Sequence, residues 1–134
     1  MNSSITDFFS LELEGWNESL SFYKDEISRS SDWLQSIVRL NTIPDLGIRV
    51  KKYFSAYERI QEEIDAILVK IKKMSAGLEE EEGMQNEKMV HETVIREQHE
   101  LRSGMQELEK KYIGLKYECD EFVANTLAVQ QHRQ

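Results

Sequence analysis

Apolar residues recur along this chain in alternating steps of four and three. Phe9, Leu13, Trp16, Leu20, Tyr23, Ile27, Ser30, Leu34 and Ile37 make the first run, with Ser30 as its polar member. Leu46, Val50, Tyr53, Tyr57, Ile60, Ile64, Ile67, Ile71, Met74 and Leu78 make the second. His91, Val94, Gln98, Leu101, Met105, Leu108, Tyr112, Leu115, Cys119, Phe122, Thr126 and Val129 make the third. That spacing keeps one face of an α-helix apolar and does not fit the two-residue repeat of a strand. It predicts helices over about residues 5–41, 45–76 and 84–130. Trp33, Val38, Leu40, Phe54, Leu68, Ile95, Val123 and Leu127 widen the three stripes. A two-stranded coiled coil would leave those flanks in water, whereas a bundle of three or more helices buries them. The expected fold is all-α: a single domain over 1–134, an antiparallel bundle of three long helices with coiled-coil-like packing, the third helix longest.

The breaks between the runs are short. Asn41-Thr42-Ile43-Pro44-Asp45 holds the single proline. Asn suits a helix C-terminus, and Thr42 or Asp45 suits the cap of the next helix. So short a connection sets the two helices antiparallel. The second break falls within Gly77–Gly83. Lys70, Lys72 and Lys73 favour a C-terminus just before Gly77, and Glu79–Glu82 favour the N-terminus of the third helix. Asp25–Arg29, Glu92–Arg96 and Glu107–Lys111 are acid-first pairs four apart, which support helicity and imply no site.

Helix lengths at about 1.5 Å per residue then make a further prediction. Paired from a turn at Gly77–Gly83, the second helix is used up when the third has reached Leu115. Cys119, Phe122, Val123, Leu127 and Val129 lie beyond that level as an apolar stripe without an intrachain partner. Such a stripe marks an interface, and the expectation is a homo-oligomer, a dimer held partly by the end of the third helix. The competing arrangement folds the tail back at Gly104 or Gly114. It ranks second because the apolar seam passes both glycines without a change of phase.

Composition narrows the function classes. The 134 residues carry 17 Lys+Arg against 25 Asp+Glu, a net charge of −8, which argues against nucleic acid and against an acidic membrane surface as partners. No apolar stretch is long enough to span a bilayer, and no secretory leader is recognisable. One cysteine cannot make an internal disulfide, so a reducing, cytoplasmic location is expected. Residues 1–40 and 81–134 are acidic, whereas 41–80 are balanced. The clusters Arg49, Lys51, Lys52 and Lys70, Lys72, Lys73 read as solvated or dipole-complementing charge.

No chemistry-bearing set is complete. His91-Glu92-Thr93-Val94-Ile95 lacks the second histidine of a helical zinc motif, and Glu87 with His91 finds no inward glutamate on the other seams. His99 adds no partner. Cys119 stands among Glu118, Asp120 and Glu121, the opposite of the electropositive setting that activates a thiol. Gln98, Thr126, Ser30 and His91 interrupt apolar seams and read as register or solvation positions before cavity linings. Trp16, Tyr23, Trp33, Tyr53, Phe54 and Tyr57 are core at helical spacing. Phosphate loops, nucleophile elbows and calcium loops have no counterpart here. We therefore expect no enzyme, and no catalytic, cofactor-binding or metal-binding residues.

The stretch Trp16-Asn17-Glu18-Ser19-Leu20-Ser21-Phe22-Tyr23-Lys24-Asp25-Glu26-Ile27, followed by Asn41-Thr42 and a second helix from Leu46, resembles small uncharacterised helical proteins of Bacteroidetes bacteria. The likeness covers about the first half of the chain and is carried mainly by helix-pattern residues. It implies a bacterial, cytoplasmic bundle and brings no activity or site residues.

Two functional readings follow. The first is a non-enzymatic protein–protein interaction or scaffold bundle. The alternative is a ligand- or metal-binding bundle with His91 or the polar seam positions inside. A curved membrane-binding dimer would need a broad basic face, which the charge opposes.

Overall fold

The computed structural model describes the backbone of residues 3–82 and 87–132, with side chains over 5–80 and 92–128. Three helices account for nearly all of it: α1 over Ser3–Leu40, α2 over Leu46–Glu82 and α3 over Glu87–His132. The described residues contain no strand, and the fold is a three-helix bundle. Consecutive helices run antiparallel, so α1 and α3 are parallel to one another. At 46 residues, α3 is the longest.

The seam positions of the sequence become the core. Leu13, Leu20, Ile27 and Leu34 of α1 are buried against Val50, Tyr57, Ile60 and Ile64 of α2, and Leu101, Met105, Leu108 and Tyr112 of α3 complete the layers. Of the flanking residues, Val123 is buried and Val38, Phe54, Leu68 and Leu127 are half-buried around the core, as the wider stripe of a bundle requires, whereas Trp33, Leu40 and Ile95 remain exposed.

Asn41–Asp45 reverses the chain after α1. Asn41 Nδ2 donates to the Ile37 carbonyl at 2.8 Å and satisfies one orphan acceptor of the last turn. Asp45 adopts a φ of 59°, a conformation that a short polar side chain tolerates better than a branched one. Its carbonyl accepts from Arg49 N at 2.9 Å and begins α2. Ile43 packs on the core and holds the turn in place.

The second break lies later than the sequence suggests. Gly77 does not end α2, which continues through Glu79–Glu82. Leu78, one residue beyond the glycine, is buried, and its packing outweighs the weak helix propensity of Gly and the unfavourable acids at a C-terminus. This shift overturns the uncovered stripe. Glu63 meets Lys111 and Arg49 meets Phe122, so Leu46 lies level with about Asn125 of α3 and not with Leu115. Cys119 and Val123 are buried, and Phe122 and Leu127 pack on the same core. Val129 lies outside the described side chains. Nor does the tail fold back: α3 passes Gly104 and Gly114 as one helix, with Met105, Leu108, Tyr112 and Cys119 buried along it.

Candidate interaction surface

α2 packs its backbone closely against both neighbours. α1 and α3 meet mainly through long side chains, and that wider seam holds most of the polar contacts between helices. Glu12 and Glu26 are fourteen residues apart on α1, two full heptads, and so share one face. Arg102 and Lys116 repeat the same interval on α3 and face them.

At the upper end the Arg102 guanidinium grips Glu12 with two bonds. Its Nε donates to Oε2 at 2.6 Å and Nη2 donates to Oε1 at 2.7 Å, the planar fork geometry that lysine cannot supply. Gln98, fully buried, adds a bond from Nε2 to Glu12 Oε1 at 3.0 Å and another to the Phe9 carbonyl at 3.3 Å. Burial pushes the Glu12 carboxyl upward, but the bonds from Arg102 and Gln98 and the Arg102 charge outweigh it and hold it below 4.5. Gln98 Oε1 is buried with no partner among the described residues.

Half-way along, two tyrosines exchange donors across the seam. Tyr23 of α1 donates to Glu109 Oε1 at 3.1 Å, and Tyr112 of α3 donates to Glu26 Oε1 at 3.2 Å. Their rings stack between these bonds with centroids 4.6 Å apart. Burial first, and then the facing carboxylates, push both phenols upward, so they remain protonated donors at neutral pH. Lys116 stands 3.8 Å from both Glu26 and Asp120. The network is built to join two helices; nothing in it presents a nucleophile or an unpaired base to solvent.

Outside the ladder the surface turns apolar. Phe8, Gly15 and Phe22 each sit one turn before Glu12, Ser19 and Glu26, and so line the outer edge of the seam. Phe8 is 56% exposed, Leu11 67% and Phe22 54%. On α3, Ile113 lies between Glu109 and Lys116 and is followed four residues later by Tyr117; they are 60% and 70% exposed. The Phe22 ring stands edge-on to Tyr23, which continues the aromatic stack to the surface.

The other sequence candidates serve the interior. Cys119 lies beside Tyr57, and its thiol is pushed up to about 11 by burial first and then by Asp120, so it is a protonated packing residue. The Tyr57 hydroxyl is buried within reach of Cys119 and Ser30 but makes no hydrogen bond of good geometry among the described residues. Phe122 lies under the Arg49 guanidinium at 5.0 Å and beside Tyr53 at 5.3 Å. Thr126 is half-buried and His99 exposed. His91 lies outside the described side chains. Among the described residues no three His, Cys, Asp or Glu side chains gather as metal ligands.

A cleft of about 410 Å³ opens between α2 and α3, floored by Ile67, Met74, Leu78, Val94 and Leu101. Lys70 and Lys73 there oppose Glu97 and Glu100, which gives no net charge to select a ligand. No helix among the described residues is long and apolar enough to cross a membrane.

Sequence reasoning missed the α1–α3 ladder. Its signal was the shared fourteen-residue interval of Glu12/Glu26 and Arg102/Lys116, which becomes meaningful once the two helices are known to be parallel. Comparison of the chain with protein-family models, curated proteins and solved structures gave no match.

Proposed function

We propose that this chain is a non-enzymatic interaction bundle that presents its α1–α3 side to another protein. One observation carries the reading: five large apolar side chains stand more than half exposed beside a polar ladder that is already satisfied within the chain. Isolated exposed apolar residues are ordinary on a protein surface, but a set of this size along one seam is an interface feature. The dimer expected from the end of α3 loses its ground, because the stripe on which it rested is covered. The ligand-binding alternative would use the α2–α3 cleft, whose balanced charges favour no ligand class.

The test is affinity capture from the native cell with the full chain and with a Phe8→Ser, Phe22→Ser variant. A partner retained by the first and lost by the second, with helical content unchanged, supports the reading. Equal capture by both overturns it for this surface. A stoichiometric transition metal in protein purified without chelator would favour the alternative.

A further inference from the structure

The chemistry of the surroundings defines what suits the α1–α3 side. Glu18, Asp25 and Asp32 are exposed along α1 one turn from the apolar edge, and Arg29 is the one base on that stripe. Residues 1–40 hold seven acids and three bases, and one of those bases, Lys24, is already paired at 2.8 Å with Asp65 of α2. Two copies joined symmetrically through this side would set α1 acids against α1 acids, so self-association here is opposed by charge.

The apolar edge has a shape as well as a charge. Phe8 and Phe22 project at positions fourteen residues apart, about 21 Å along the axis. Gly15 lies midway between them, and a Cβ built on it would meet nothing within 4 Å. Two aromatic knobs with a notch between them match the spacing at which another helix presents side chains, every second heptad turn.

We propose, building on the interaction reading, that the α1–α3 side docks a basic amphipathic helix of about four turns from a partner protein. Its apolar residues pack between Phe8 and Phe22 and against Ile113, with one large side chain seated over Gly15. Its Lys and Arg residues face Glu18 and Asp25. The Gly15 notch explains a residue that is otherwise a cost: glycine inside an exposed helix turn lowers helix stability and nothing in this chain requires it.

Fluorescence anisotropy with the full chain tests this, using an eighteen-residue labelled peptide with leucines on one face and lysines on the other, and a twin carrying glutamate for lysine. The lysine peptide should bind at least tenfold more tightly than its twin and weaken as salt rises from 50 to 300 mM. Phe22→Ser should reduce that binding at least tenfold. Gly15→Gln should raise the thermal midpoint and yet weaken the peptide by a similar factor, opposite signs that a merely structural role for Gly15 does not produce. Equal affinity for the two peptides, or unchanged binding in both variants, overturns the proposal. A footprint by amide chemical shifts on α2 instead of α1 and α3 also overturns it, while leaving the interaction reading intact. Sedimentation showing a dimer of the free chain that Phe22→Ser dissociates would assign the surface to a second copy and overturn it as well.

Discussion

The two kinds of helix contact in this bundle are built on different chemistry. Where α2 meets α1 and α3, antiparallel and adjacent in sequence, the seam is aliphatic and close: Val50, Ile60, Ile64 and Ile71 are buried there. Where α1 meets α3, parallel and unconnected, the gap is spanned by Glu12–Arg102, by Tyr23 and Tyr112, and by Glu26–Lys116. Stability is concentrated in the first kind. The second fixes how the outer helices sit relative to each other, and so shapes the surface outside them. Ion pairs and hydrogen bonds suit that role because their geometry is directional while their net contribution is modest.

Substitution should expose this contrast most plainly in α2. Ile64→Ala removes a fully buried side chain and should cost about 3 to 4 kcal/mol in urea unfolding. Ile113→Ala, on the exposed edge, should stay within about 0.5 kcal/mol. Similar losses at the two sites would erase the distinction.

Arg102→Ala comes next, at about 1.5 kcal/mol, because Glu12 is left half-buried with only Gln98 as donor. Its effect should depend on pH. The Glu12 carboxyl is held below its ordinary 4.5 in the folded protein, so its contribution is complete above that value. It is lost as pH falls through the lower folded value, since the proton then binds both states alike. The urea-midpoint difference between parent and variant should therefore shrink on going from pH 7 to pH 3. A difference that stayed constant would show that Glu12 and Arg102 are not electrostatically coupled.

Gly104→Ala and Gly114→Ala should each stabilise α3 by about 0.5 to 1 kcal/mol, since a Cβ at either position meets nothing within 4 Å. A loss at either position would mean that the α2–α3 groove is tighter than its geometry indicates. Tyr57→Phe should be the smallest change, ranging from neutral to a gain of about 1 kcal/mol, because it deletes a buried hydroxyl without a partner. A clear loss in thermal melts would reveal a hydrogen bond or buried water at that site.

Most of the architecture was legible in the sequence, for a physical reason. Alternating steps of four and three at Leu13, Leu20, Ile27 and Leu34 report burial directly, and Asn41–Asp45 contains the strongest helix-breaking residue, proline. The end of α2 was not legible, because local signals at Gly77 and Glu79–Glu82 pointed one way and the burial of Leu78 another. Propensity is worth tenths of a kcal/mol per residue, and a buried leucine about 2 kcal/mol, so packing prevails. That misplacement alone produced the false stripe at Cys119, Phe122, Val123 and Leu127. The ladder was hidden differently. A single stripe identifies the core face of a helix but not which flank meets which neighbour, and Glu12 or Arg102 reads as an ordinary solvated charge.

The partners in the α1–α3 ladder are 86 to 90 residues apart in the chain. Both α-hairpins close over far shorter loops, and loop-closure entropy places the ladder last in the order of assembly. Its bonds should therefore be absent from the folding transition state. Arg102→Ala should leave the refolding rate nearly unchanged and speed unfolding by about tenfold, nearly the whole of its stability loss. In kinetic terms the ladder is a latch: it governs how long the closed bundle persists, while the two hairpins decide how quickly it forms.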